Sequence, residues 1–169
     1  MRVGRLIRHA AASHWRTRMR FPASTLDAIE QAIGRAEQTH RGEIRFAIET
    51  SLPPLQVLSE LAPRARALEV FAHLKVWDTE HNNGVLIYVQ LADRAVEIVA
   101  DRALARRVKQ AEWDSVCRMM EEHFRAGRFK SGSIAGVDAI GTLLARHFPA
   151  DSAPERPAGN QLPDRPTLL

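Results

Sequence analysis

The fold is decided by two stretches, each with a short polar turn ahead of an apolar run: Asn82–Asn83–Gly84–Val85–Leu86–Ile87–Tyr88–Val89 and Ala92–Asp93–Arg94–Ala95–Val96–Glu97–Ile98–Val99. Both runs are rich in β-branched residues, which favour strands. Asn-Gly before the first run is a turn signal, and only a short polar connection separates the two. The sequence therefore predicts a β-hairpin with strands over 85–91 and 95–100.

A further strand is predicted upstream of the hairpin. Ile44, Phe46 and Ile48 alternate with charged residues over 42–50, a pattern typical of a half-buried strand. A helix should join this strand to the hairpin. If the strands share one sheet, the first two are then parallel, with a right-handed crossover, and the third is antiparallel to the second.

Apolar residues recur with helical periodicity in much of the remaining chain. This periodicity predicts helices over 24–40, 63–75, 111–126 and 132–147 and leaves the conformation of 55–62 open. The helix over 63–75 is expected to bury the face that carries Ala65, Leu68, Phe71 and Ala72. This order of elements implies an α/β fold, in which a mixed sheet with a central β-hairpin is covered by helices on both faces.

The chain divides by composition into three parts. Its 169 residues suit one domain, which we place at 23–149, behind a basic N-terminal arm at 1–22. The tail at 150–169 has little apolar content and is expected to be disordered. Four prolines of this tail support that expectation: Pro154, Pro157, Pro163 and Pro166.

The arm is the basic part of the chain. Six arginines and no acidic residue stand within 1–20, whereas the net charge of the whole chain is only +4. The rest of the chain is therefore slightly acidic, which argues against nucleic-acid binding by the domain as a whole.

Apolar residues of the arm are roughly helically spaced, and two interpretations stay open. The helix packs its apolar stripe back on the domain, which we favour because glycine and short alanines make a weak membrane face, or it lies on an anionic membrane surface or an acidic partner. The second interpretation gives partner contacts to Arg2, Arg5, Arg8, Trp15, Arg16, Arg18 and Arg20.

Polar side chains are predicted to gather where the first two strands begin. The loop before the hairpin is rich in oxygen donors, and the third strand should return beside it, with Glu43 also near. Oxygen-rich loops suit Ca²⁺ or Mg²⁺ and could support metal-assisted phosphoryl hydrolysis. The candidate ligands are Asp78, Glu80, Asn82, Asn83 and Asp101. The alternative is ordinary turn chemistry, with Asp101 capping the following helix.

Other site types find no support in the sequence. The seven histidines have no ligand-like spacing, so a zinc site is not expected. Cys117 falls on an apolar helix face and is interpreted as an inert core residue. No segment has the pattern of a signal peptide, and the longest apolar run is far shorter than the ~20 residues of a membrane span. A cytoplasmic protein, at most peripheral to the inner membrane, is expected.

The hairpin resembles the hallmark of TPM domains, in which an Asp/Asn-Asn-Gly-Val-Leu strand is followed by a short Asp-Arg turn and a second strand. Upstream, Thr39–His40–Arg41–Gly42–Glu43–Ile44 is similar to the family's first helix and strand. Downstream, Phe124–Arg125–Ala126–Gly127–Arg128–Phe129 is similar to its closing helix and turn. The resemblance covers roughly 24–148.

The resemblance implies a three-layer α/β/α sandwich. Some plant members of the family are described as acid phosphatases, some members bind divalent cations, and many bacterial members have no established activity. This chain resembles a short form that lacks a signal peptide and a membrane helix. It departs from the usual pattern by Asn82 in place of the common Asp, and by Ala100–Asp101–Arg102–Ala103–Leu104, which lacks the usual glycines.

Two functions follow as hypotheses. The first is a non-catalytic accessory module that binds a protein or membrane-linked partner through its basic arm. The second is a weak phosphatase that depends on Ca²⁺ or Mg²⁺ bound at the loop before the hairpin.

Overall fold

The computed structural model describes residues 2–150 and 160–169, with the side chain of Arg2 left out. Its helices are α1 (Arg2–Ala11), α2 (His14–Arg20), α3 (Ala23–Ala36), α4 (Pro54–Leu58), α5 (Pro63–His73), α6 (Arg102–Ala105), α7 (Gln110–Arg125) and α8 (Phe129–His147). Its strands are β1 (Glu43–Glu49), β2 (Gly84–Gln90), β3 (Ala95–Ala100) and β4 (Thr167–Leu168).

The four strands form one mixed sheet in the order β3-β2-β1-β4. β1 and β2 are parallel, with Glu43 opposite Gly84, and β2 and β3 are antiparallel, with Ile87 opposite Ile98. The predicted hairpin and the predicted parallel pairing are therefore confirmed.

Helices cover both faces of the sheet. One face carries Phe46, Ile48 and Ile87, which are buried in the larger core with apolar residues of α3, α7 and α8. The opposite face carries Leu86 and Tyr88, which pack in a smaller core that includes α5. The structure is thus the expected α/β fold, with three layers.

The buried face of α5 differs from the prediction. Ala67 and Val70 are buried, whereas Leu68 is 50% exposed and Ala72 lies at the surface. Apolar residues occur almost all round this helix, so its sequence carries little periodicity from which a buried face can be read.

The prediction of disorder is wrong for residues 160–169, while residues 151–159 of the tail lie outside the described residues. β4 pairs in parallel with β1, and Leu162 is buried in the smaller core. Arg45 of β1 donates hydrogen bonds to the carbonyl of Arg165, at 2.8 Å, and to that of Pro163. The segment is held by long-range contacts rather than by its own composition.

The arm packs back on the domain, but not through the whole apolar stripe that the favoured interpretation placed there, because Val3, Ile7, Trp15 and Met19 are more than 60% exposed. It forms two helices rather than one, because Ser13 interrupts the chain and caps α2 by accepting a hydrogen bond from the backbone N–H of Trp15. α1 packs against α4, and Phe21 after α2 is buried in the larger core.

Candidate functional site

The loop before β2 meets the end of β3 and the start of β1 through backbone hydrogen bonds. The N–H of Asp101 donates to the carbonyl of Gly84 at 2.9 Å, and that of Glu43 donates to the carbonyl of Asn83 at 3.1 Å. The N–H of Ala103 donates to the carbonyl of Asn82 at 3.2 Å. These residues gather where the parallel pairing predicts, and we call this edge the loop rim, formed by residues 78–84 and 101–103 with Glu43.

Gly84 is required at the loop rim by the close approach of another segment. A Cβ on residue 84 would lie 2.0 Å from the carbonyl oxygen of Val76, a distance that no side chain tolerates. The Asn-Gly signal therefore marks a tight crossing of two backbone segments as well as a turn.

Side chains of the loop rim are largely engaged in structural hydrogen bonds. Asn82 Oδ1 accepts from Arg102 Nη2 at 2.8 Å and from its Nε at 3.0 Å. Asp101 Oδ1 accepts from the N–H of Arg102 at 2.6 Å and so caps α6, the role that the alternative of ordinary turn chemistry gave it. Glu43 Oε2 accepts from the N–H groups of Gln161 at 3.3 Å and Leu162 at 3.2 Å, whereas Glu80 contacts the same segment through its backbone N–H, which donates to Gln161 Oε1.

Two oxygen atoms of the loop rim are buried without a hydrogen-bond partner within the described residues. They are Asn83 Oδ1 and Asp101 Oδ2. Asn83 is itself 4% exposed, and its Nδ2 donates to the carbonyl of Arg41.

The loop rim fits a divalent cation poorly. Within residues 2–150 and 160–169, no three His, Cys, Asp or Glu side chains gather as a metal-binding group. The guanidinium of Arg102 already binds Asn82, which brings a positive charge to the place where a cation would sit. Ca²⁺ takes six to eight oxygen ligands. The carboxylates of Asp78 and Glu80 are exposed, and they do not gather with Asp101 into such a group.

At the opposite edge of the sheet, the arm is anchored on the turn between β2 and β3. Arg5 Nη2 lies 2.6 Å from Asp93 Oδ2, and its Nε lies 3.0 Å from Oδ1. His9 Nδ1 accepts from the N–H of Leu52, so its proton is on Nε2, which lies 3.1 Å from Asp93 Oδ1. Burial raises the pKa of Asp93, but the hydrogen bonds from Arg5 and His9 outweigh burial and hold that pKa below its usual value.

A second buried ion pair lies at the end of β1. Arg66 Nη2 is 2.7 Å from Glu49 Oε1, and the Tyr88 hydroxyl donates to the other oxygen of Glu49. Burial, followed by the hydrogen bond to the Glu49 carboxylate, raises the pKa of Tyr88, and the hydrogen bond to Glu49 raises that of Arg66. Tyr88 is fully buried, so this cluster joins β1, β2 and α5 rather than meeting a substrate.

The arm turns apolar side chains outward. Four of its apolar residues are more than 60% exposed: Val3, Ile7, Trp15 and Met19. On α4, Leu55 is 79% exposed and Leu58 is 56% exposed. We call the outward face of α1 and α4, with these side chains of Val3, Ile7, Leu55 and Leu58, the α1–α4 face.

The predicted basic contacts of the arm separate into two groups. Arg5 faces the domain, whereas Arg8, Arg16, Arg18 and Arg20 are exposed. Sequence reasoning missed Leu55 and Leu58, because it left the conformation of 55–62 open. Within the described residues, no helix is long and apolar enough to cross a membrane.

Comparison with known proteins agrees with this architecture. The family model of the TPM domain matches residues 20–143. The solution structure of the BA42 protein of the psychrophilic bacterium Bizionia argentinensis is 31% identical, with a TM-score of 0.73, and the alignment covers 87% of this chain and 94% of that one.

A second structure is similar in fold alone. It is the N-terminal domain of a protein from P. gingivalis, at 19% identity and a TM-score of 0.57, with 75% of this chain and 79% of that chain covered. No curated protein matches the chain. The family match spans α3, the whole hairpin, α7 and most of α8, and it leaves out most of the arm and the C-terminal segment. The chain belongs to the TPM domain family.

Proposed function

We propose that this protein is a non-catalytic accessory module that binds a protein partner through the α1–α4 face. The observation that carries the proposal is the exposure of large apolar side chains on two helices packed against each other, at 71% for Val3, 61% for Ile7 and 79% for Leu55. Single exposed apolar residues are common, but a group of them on one face is typical of an interaction site.

The direction of the arginines favours a protein partner over a membrane. A helix that lies on an anionic membrane carries basic side chains beside its apolar face. In α1, Arg5 turns instead toward Asp93, and Arg8 Nε donates to the carbonyl of Ala92 at 3.3 Å. Arg5 and Arg8 of α1 therefore contact the turn after β2, which leaves them less available to an anionic lipid surface.

The chemistry of the reactive groups also favours binding over catalysis. Burial raises the pKa of Cys117, the single thiol of the chain, to about 12, and the charges of Glu97 and Glu121 add to this effect. The thiol is held protonated and is a poor nucleophile. Tyr88 and Arg66 both bind Glu49 in the buried cluster, so these side chains do not face a substrate.

The experiment compares partner capture by two variants of the full chain. Val3→Ser with Ile7→Ser removes apolar groups from the α1–α4 face, and Leu68→Ser, at a side chain that is 50% exposed on α5, is the matched control. We expect one protein to be retained by the native chain and by the control and lost with the double variant. Affinity is then measured with the purified pair, and we expect a loss of tenfold or more.

Two results would contradict the proposal. One is an unchanged set of captured proteins with the double variant. The other is binding of the native chain to vesicles of anionic phospholipid that the double variant loses, which would assign the face to a membrane.

A divalent-cation-dependent phosphatase is the second candidate function. It is supported by the buried oxygens Asn83 Oδ1 and Asp101 Oδ2, and opposed by Arg102 beside them. The test is an amide NMR titration with Ca²⁺ and then Mg²⁺, together with an assay of phosphate release. Asp101→Asn keeps an oxygen for the helix cap and removes the charge, and Asp138→Asn is an exposed control. Saturable shifts at 78–84 and 100–104 that Asp101→Asn abolishes would favour this function; flat spectra at millimolar metal would exclude it.

A further inference from the structure

A cavity of about 290 Å³ opens beyond the end of β2, at the edge of the sheet opposite the loop rim. It lies between α2, the β2–β3 turn and the connection from α7 to α8. Its walls include Arg20, Gln90, Arg94 and Arg125. In open α/β sheets, ligands bind in the crevice outside the carboxyl ends of the parallel strands, and this cavity occupies such a position.

The walls of the cavity are strongly basic. Arg20, Arg94 and Arg125 line it, and none of the three forms an ion pair within the described residues. Glu121 is the one acidic residue among the lining residues, and its Oε1 is engaged by the backbone N–H of Val96 at 3.1 Å. The guanidinium of Arg20 is held 5.2 Å from the centre of the Phe129 ring, which fixes its position at the mouth.

A smaller cavity of about 190 Å³ adjoins the first and extends the basic surface. The two share Arg20 and Arg94, and the smaller one adds Arg8 and Arg16 with no acidic residue among its walls. Arg8 is paired with Asp93 at 3.7 Å, whereas Arg16, Arg20 and Arg94 form no ion pair within the described residues and repel one another unless a counter-charge lies between them.

The buried amide of Gln90 is an independent sign of a ligand. Gln90 is fully buried and lines the larger cavity. Its Oε1 accepts from the N–H of Asp93 at 2.7 Å, which fixes the orientation of the amide. Its Nε2 is therefore a donor, and it has no hydrogen-bond partner within the described residues. A buried donor without an acceptor costs free energy that a bound acceptor would recover.

We propose that this basic cleft binds a small multivalent oxyanion, such as a phosphate group. Arginine binds phosphate and carboxylate oxygens through paired charge-assisted hydrogen bonds, and three guanidiniums with one amide supply only donors. The volume suits a compact ligand. The cleft uses α2 and the β2–β3 turn and none of the residues of the α1–α4 face, so the proposal stands apart from the proposed function.

The test is an amide NMR titration of the full chain with pyrophosphate at constant ionic strength. We expect saturable shifts at residues 20, 90, 94 and 125–129. Arg94→Asn removes one guanidinium, and asparagine tolerates the left-handed backbone of residue 94, whose φ is +58°. Gln90→Glu keeps an oxygen that accepts from the N–H of Asp93 and replaces the unpaired Nε2 donor with an oxygen acceptor. Arg118→Gln removes an equal charge from an exposed position of α7.

Affinity should fall about tenfold with Arg94→Asn, since a hydrogen bond to a charged group contributes about 1.5–3 kcal/mol. It should fall at least as far with Gln90→Glu and stay unchanged with Arg118→Gln. A parallel experiment uses vesicles that contain phosphatidic acid. Vesicle binding that Arg94→Asn weakens would assign the oxyanion to a lipid headgroup. Binding of pyrophosphate without binding of vesicles would assign it to a free ligand. Equal losses for Arg94→Asn and Arg118→Gln, or no saturable binding of either probe, would overturn the proposal.

Discussion

Arg5 of the first helix and Asp93 of the hairpin turn form a two-point ion pair, with Nη2 and Nε of the arginine 2.6 and 3.0 Å from the two carboxylate oxygens. The residues are 88 positions apart, and the Asp93 side chain is only 8% exposed. One arginine of the basic arm thus neutralises an acid of the domain, and the arm becomes part of the folded unit while its apolar residues face outward.

Asp93→Asn should release the arm without unfolding the domain. The change leaves Arg5 without its counter-charge, and a hydrogen bond to a charged group contributes about 1.5–3 kcal/mol. We expect faster tryptic cleavage after Arg8 and Arg16, with the sheet and its helices intact by circular dichroism. Asp138→Asn, at an exposed position of α8, is the control. Unchanged protection of the arm in the Asp93 variant would show that apolar contacts alone hold it.

The same anchor predicts how docking of the arm depends on pH. The pKa of Asp93 in the folded protein lies below its ordinary value of 3.8. A carboxylate with a lowered pKa contributes stability that is complete above the ordinary pKa and is lost as the pH falls through the lowered one. Protection of the α1 backbone amides from hydrogen exchange should therefore be undiminished at pH 5 and fall only below pH 4. Loss of this protection above pH 5 would contradict this assignment.

The buried cluster of Glu49, Arg66 and Tyr88 should act as a unit. Arg66→Met leaves the Glu49 carboxylate, 5% exposed, without its counter-charge, and breaking a buried pair costs about 3–5 kcal/mol. Tyr88→Phe removes one hydrogen bond and should cost about 1 kcal/mol. The measurement is urea denaturation, with Arg118→Met as a surface control expected to stay within about 0.5 kcal/mol. A loss below 1 kcal/mol for Arg66→Met would mean that water reaches Glu49.

The hairpin and the parallel pairing could be predicted because their signals are local. Asn83–Gly84 marks the turn, and alternation around Phe46 marks the partner strand. Topology alone then placed Asp101 beside Gly84, and the hydrogen bond between them confirms it. The contact between Arg102 and Asn82 was not predictable, because Arg102 lies on a helix too short to show periodicity.

Two further features that the sequence did not predict depend on distant contacts. β4 is a strand of two residues in a proline-containing segment, and it exists because Arg45, more than a hundred residues earlier, donates to that segment. Arg5 has the charge of a surface residue, and only the fold brings Asp93 within reach. Local composition describes neither contact, so it predicts disorder for the tail.

Leu162→Ala should loosen the C-terminal segment. Leu162 is 6% exposed, and truncation of a buried leucine costs about 2–5 kcal/mol. Because β4 is a two-residue strand at the edge of the sheet, we expect the segment to leave the sheet before the domain unfolds and the effect to appear in hydrogen exchange rather than in global stability. The N–H of Leu169, which donates to the carbonyl of Ile48 at 2.9 Å, should exchange at least tenfold faster. Leu168→Ala, at a side chain that is 42% exposed, is the control, and equal protection in both variants would contradict the role of Leu162.

Cys117 should be nearly inert toward thiol reagents in the folded protein. Burial first, and then the charges of Glu97 and Glu121, raise the pKa of its thiol to about 12. At pH 8 about one thiol in 10⁴ is then ionised, against about a quarter for a free cysteine of pKa ~8.5. We expect reaction with a chromogenic disulfide at least 100-fold slower than in urea, where the thiol is exposed. Comparable rates in both conditions would mean that the thiol ionises readily in the native fold, and Cys117 would then return as a candidate nucleophile.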